Sequence, residues 1–228
     1  MRDYLFPPLL LPFFILLIVL PFFLLIFFFT TPKVFQIVFG LNYYDALLIF
    51  SLIVIGSFVN IPIYEKEGKV IVKKYSIFGY IYAIQEKQKI VVAINLGGCI
   101  LPSILALKLM FELPILPWLI SFLISSVIIY HYAKPIPGLG IAVPMFIPPL
   151  TSAFISYLAL IAFGFPVTLL PKLAFSSGVF SALFGADIMH LKDIEKIGSG
   201  VVSIGGAGTF DGIFLTGVFA VVFSLLLI

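Results

Sequence analysis

The chain has 228 residues, of which 62% are hydrophobic and 10% charged, and its mean hydropathy is +1.27. A soluble domain of this composition lacks the polar groups to cover its surface, so a polytopic helical membrane protein is the class that remains. The formal net charge of +3 comes from lysines confined to connections, which implies no nucleic-acid partner, and one cysteine, Cys99, allows no internal disulfide and no redox motif.

At roughly 20 apolar residues per span, the length accommodates about seven transmembrane helices and no large soluble domain. The expected fold is all-α, a single transmembrane domain over 1–228. A small cytoplasmic β-hairpin is inserted at 62–89, a Pro/Gly-rich loop lies at 134–144, and a cytoplasmic connection covers 190–207. Segment one, about Leu5 to Phe29, is nearly pure Leu, Ile, Val and Phe, kinked by Pro7, Pro8, Pro12 and Pro21 and closed by Thr30-Thr-Pro-Lys33. It is too long and too proline-interrupted for a cleaved signal peptide. Val34 to Gly40 reads as an amphipathic stretch along the interface.

Segment two, about Leu41 to Ile61, ends at Asn60-Ile-Pro62. The β-rich runs Val70-Ile-Val-Lys-Lys-Tyr-Ser-Ile and Tyr80-Ile-Tyr-Ala-Ile follow and give the hairpin. Segment three, about Ile90 to Phe111, carries Asn95-Leu-Gly-Gly98. Segment four, to about Tyr132, starts at Trp118, an expected interfacial anchor. Lys134-Pro-Ile-Pro-Gly-Leu-Gly-Ile-Ala-Val-Pro144 is apolar yet full of Pro and Gly, which suits a re-entrant or protein-buried loop. Segment five runs from about Pro144 to Phe165. Segment six, about Lys172 to Met189, is rich in small residues that let helices approach closely. Segment seven runs from about Gly208 to Ile228.

Seven alternating spans put ten basic residues on one side and Lys33, Lys108 and Lys172 on the other. The positive-inside rule then places the N-terminus and the hairpin in the cytoplasm and the C-terminus outside a multi-pass cell-membrane protein. Asn60, Asn95, the Pro-Gly loop, Asp187 and Asp211 all gather on the cytoplasmic half.

Asp187 closes Phe184-Gly-Ala-Asp187, and Asp211 sits in Ser203-Ile-Gly-Gly-Ala-Gly-Thr-Phe-Asp-Gly-Ile-Phe-Leu-Thr-Gly217. A carboxylate is costly in hydrocarbon and needs a function or a partner. Two that meet split their pKa values and act as acid and base on a water, so the pair is the candidate catalytic dyad. Asn60, Asn95, Pro135, Pro137, Gly140, Pro144, Gly206, Gly208 and Gly212 are the candidate cavity residues. Two other readings stay open. In one, the carboxylates carry a proton or cation through a transporter. In the other, they cap helices in a scaffold without chemistry. His131 and His190 come with no zinc-binding spacing, so neither metal nor cofactor is expected. The expected partners are membrane lipids and a membrane-embedded or juxtamembrane peptide.

Across Asn60-Ile-Pro, Asn95-Leu-Gly-Gly, the Pro135–Pro144 loop, Gly185-Ala-Asp187 and the Ser203–Gly217 motif, the chain resembles an uncharacterised prokaryotic integral-membrane family, a domain of unknown function, from about residue 50 to the end. That resemblance implies a polytopic membrane protein and no particular reaction. The chain is also similar, more narrowly, to intramembrane aspartyl proteases with one Asp on a helix and a second in a Gly-x-Gly-Asp motif on the next. Asp187 matches the first position and Asp211 the second. Thr209-Phe210 interrupts the motif here, and the Pro-rich loop precedes the aspartates.

Overall fold

The computed structural model describes residues 10–77, 80–136, 140–193, 200–206 and 212–228, in two units, 1–50 and 51–228. The first unit holds helix α1, Leu10–Phe39, and the start of helix α2, Tyr43–Gly56. The sequence suggests a stop at Thr30-Thr-Pro32, but α1 runs through it. The Thr30 and Thr31 hydroxyls donate to the Ile26 and Phe27 carbonyls four residues back (2.6 and 2.8 Å), so both are satisfied inside the helix. Gly40, at φ +67°, ends α1 instead and donates its N–H to the Gln36 carbonyl. Asn42 caps α2: its Oδ1 accepts from the Asp45 N–H, and its Nδ2 donates to the Asp45 carboxylate. The Phe50 ring packs edge-on against Phe27 and Phe28.

In the second unit α2 stops at Gly56 and the chain turns into strand β1, Asn60–Ile77, paired antiparallel with strand β2, Tyr80–Asn95. The hairpin is longer at both ends than the 62–89 insertion expected. Ile90-Val91-Val92-Ala93-Ile94 was expected to open a helix, but this mostly β-branched run continues the strand. Pro62 sits on an edge strand at a register shift, where a missing N–H is tolerated. β2 also pairs in parallel with a short strand late in the chain, β5, Gly200–Ile204, giving the sheet order β1-β2-β5. A π-helical turn, Leu96–Ile100, then leads from β2 into helix α3, Leu101–Glu112.

Helix α4, Ile115–Tyr132, is followed by strands β3, Lys134–Ile136, and β4, Gly140–Ala142. They pair antiparallel, so part of the Pro-Gly loop is a small hairpin. Helix α5, Ile147–Ala162, precedes a continuous helical stretch from Val167 to Asp193. Its α-helical part is α6, Leu170–Ala182; a π turn at Leu183–Asp187 and a 3-10 turn at Ile188–Asp193 follow. β5 and helix α7, Gly212–Leu225, complete the unit.

Almost every residue of α6 is buried, and α6 packs on α3, α4, α5 and α7. Small side chains permit this. Gly217 of α7 faces α6 so closely that an added Cβ would lie 2.7 Å from a Val179 methyl. Serines satisfy one another across the contact: Ser156 with Ser177 at 3.0 Å and Ser152 with Ser181 at 3.3 Å. Trp118, expected as an interfacial anchor, is instead buried at 7% exposure. Its indole N–H donates to Ser176 Oγ (2.8 Å), which donates to the Ala106 carbonyl (2.7 Å), tying α4, α6 and α3 together.

Among the described residues, fewer helices than the expected seven have the length and hydropathy of a membrane span. Ile115–Tyr132 and Val167–Asp193 are long and apolar enough to cross a membrane. The pair Leu25–Phe39 and Tyr43–Gly56, bent by 116°, makes a third if it serves as one broken span. Ile147–Ala162 and Gly212–Leu225 are apolar but shorter.

Trp118→Phe keeps the ring but leaves Ser176 without its donor, and should cost about 0.6–2 kcal/mol in unfolding measured in detergent. At the rim of the bundle, Lys172 Nζ donates to Glu112 Oε2 at 2.8 Å, and this bond holds the Glu112 pKa below its ordinary value. A depressed carboxylate pKa contributes stability above the unfolded value, near 4.3, and loses it as pH falls through the folded value. Glu112→Gln should therefore flatten the stability profile below about pH 4.3. The change should be no more than about 1 kcal/mol, because the pair is exposed.

Candidate functional site

The site starts from how β5 is held. At the base of the long hairpin Asn60 stands opposite Asn95. Asn95 is buried and uses its whole amide: Nδ2 donates to the Ser57 carbonyl (2.7 Å) and to Asn60 Oδ1 (3.0 Å), and Oδ1 accepts from the Gly98 N–H (2.7 Å). Ser203 of β5 donates to the same Asn60 Oδ1 at 2.5 Å. Together with the ladder from Ile90–Gly200 to Ile94–Ile204, this anchors β5 along β2.

β5 ends in a tight turn. Gly205 has φ +75°, a left-handed conformation that favours glycine, and an added Cβ would run into Cys99. The Gly206 N–H donates back to the Ser203 carbonyl at 3.2 Å. The Gly205 N–H donates to the Asp187 carboxylate. Asp187 ends the π turn of the α6 stretch, and π turns of this kind recur at functional sites. Gly185 permits that turn to touch α4, since a Cβ there would stand 2.5 Å from the Ser126 carbonyl oxygen. Below it, His190 is buried against the Tyr130 ring (4.6 Å between centroids), with Nδ1 3.2 Å from the Gly185 carbonyl.

Asp187 lines a cavity of about 310 Å³. One wall is β5 with Gly205 and Gly206, and another is Gly140 to Val143. Ala182, Ala186 and Leu191 from the α6 stretch, with Gly212, Ile213 and Thr216 of α7, complete most of the lining. The lining is mostly apolar and small, with Asp187 as its carboxylate among the described residues.

Of the residues singled out by sequence, Asp187, Gly140, Gly206 and Gly212 meet at this cavity. Asn60 and Asn95 stand behind its β5 wall and hold it in place, while Pro135 and Pro144 flank the stretch that lines it and do not form the lining. Asp211, Pro137 and Gly208 lie outside the described residues. Ser203 and Gly205 belong to the Ser203–Gly217 motif but are not among the residues singled out for the site. Val201-Val202-Ser203-Ile204 after Gly200 carries a β-branched strand signal that marks them in retrospect. Among the described residues no group of three or more His, Cys, Asp or Glu is arranged to hold a metal ion.

Asn95→Ala should leave the Gly98 N–H and the Ser57 carbonyl unpaired, one of them fully buried, at a cost of about 1–3 kcal/mol in thermal unfolding. Ser203→Ala, which removes one donor from a shared acceptor, should cost less.

A sequence model described as "Protein of unknown function (DUF1614)" matches residues 54–223, and the chain belongs to this family. No curated protein and no solved structure matches.

Proposed function

For this DUF1614 member we propose hydrolysis of a peptide bond in a membrane-embedded or juxtamembrane segment, with Asp187 and Asp211 as the working pair. The observation that carries the reading is Asp187 in the wall of an apolar cavity whose opposite parts are strands, with Gly212, the residue after Asp211, in the same lining. In the reaction one carboxylate takes a proton from water as the oxygen attacks the peptide carbonyl, and the partner carboxylic acid donates to that carbonyl. The C–N bond then breaks, the nitrogen takes a proton and leaves as the amine, and the carbonyl side leaves as the acid. The Gly205 N–H bonds the Asp187 carboxyl where both residues line the cavity.

The topology that goes with this reading is a multi-pass protein with the N-terminus and the long hairpin in the cytoplasm, since six hairpin lysines lie on that side. Full spanning by seven segments belongs to the same proposal. It requires the shorter helices to cross where neighbouring helices or a locally thinned bilayer make up the length.

The test uses purified protein in detergent with a library of single-span peptides, read by mass spectrometry. Asp187→Asn and Asp211→Asn should each lower cleavage by about 10²–10⁴-fold, the usual worth of an acid–base group. Wild-type cleavage no greater than that of either variant would overturn the proposal. A proton or cation flux in proteoliposomes that both variants abolish would then assign the carboxylates to transport.

A further inference from the structure

The cavity has an unusual pair of walls. β5 is the last strand of the β1-β2-β5 sheet, so one of its edges has no strand partner among the described residues. β4 pairs with β3 alone and likewise keeps one edge without a strand partner among them. Both strands line the same cavity, through Val201–Ile204 and Gly140–Ala142. An unpaired edge presents a row of N–H and C=O groups, and in an apolar setting each unsatisfied group is costly. Helices cannot answer such a row, because their own backbone groups are already paired internally. An extended chain can, on both of its sides at once.

We infer that an extended peptide segment docks in the cavity as an added strand between β5 and β4. The main chain supplies the affinity, and apolar side chains meet Ile141, Val143, Val201 and Ile204. A volume near 310 Å³, at the lower end of ligand sites, suits a few residues of such a segment. The inference deepens the hydrolase reading and rests on it for the fate of the bound segment. It explains why a peptide bond would become accessible beside Asp187: a segment drawn out as a strand offers carbonyls that a helix keeps in its own hydrogen bonds.

The test tethers the probe, so that binding does not depend on finding a natural substrate. In a Cys99→Ser, Asp187→Asn background, Leu191→Cys places a thiol in the cavity lining, and a six-residue peptide of alternating Val and Thr is attached through a short linker. A short flexible tether gives an effective concentration in the millimolar range. Two central carbonyls carry ¹³C, and the isotope-shifted amide I band is read by infrared spectroscopy. Two twins of the probe are N-methylated at odd or at even positions; they keep the side chains and lose the donors on one side. The expected result is a strand-coupled band for the unmodified probe that weakens in both twins. A band without strand coupling, or one indifferent to N-methylation, overturns the inference. Because the probe is modified and the protein is the same in all arms, misfolding cannot imitate the expected result. Peptide cleavage by the wild type without the strand band would overturn strand docking alone. The strand band without any wild-type cleavage would overturn the hydrolase reading alone.

Discussion

The parallel pairing of Ile90–Ile94 with Gly200–Ile204 is the contact on which the rest of the site depends. It joins segments more than 100 residues apart, and parallel strands need a long crossover, here the whole run of α3 to α6. Without it the turn at Gly205 would have no fixed position and its N–H would not reach Asp187. The Asn60–Asn95–Ser203 cluster reinforces the pairing at the end nearest the site. There Asn95 ties β2 to β1 and to the turn after α2, and Ser203 ties β5 to β1.

Close approach is the second constraint. Gly97 lies so near α2 that an added Cβ would overlap the Ile53 carbonyl and the Ser57 N–H, and Gly56 faces it from the other side. Gly185 against Ser126 and Gly217 against Val179 repeat the arrangement elsewhere in the bundle. In an apolar medium, helices gain little from hydrophobic burial and associate through tight packing and buried hydrogen bonds. The glycines and the paired serines of α5 and α6 supply both. Other small residues, Ala182, Ala186, Gly205 and Gly206 among them, stand in the wall of the cavity beside Asp187.

The local features were legible in the sequence to the extent that local chemistry decides them. The long apolar runs, the lysine-bearing hairpin and the odd carboxylate of Asp187 all follow from residue type and spacing. Segment three was misread because Ile90–Ile94 is equally apolar as strand or helix, and apolar runs of this length do not reveal their period. The burial of Trp118 is not legible locally, because an aromatic near a helix start suits an interface as well as a core, and the Ser176 hydroxyl that captures its N–H is 58 residues away.

By itself, the sequence determined the membrane class, the presence of a hairpin, and the carboxylates that demand a reason. Only the tertiary structure decided that β5 joins the sheet, that the π turn brings Asp187 to a cavity, and that strands form two of its walls. The division has a physical cause. Periodicity, caps and charge act over a few residues and are written where they act. The choice of a strand partner depends on which distant edge is free and near, and nearness is set by glycine and serine contacts that no single segment contains.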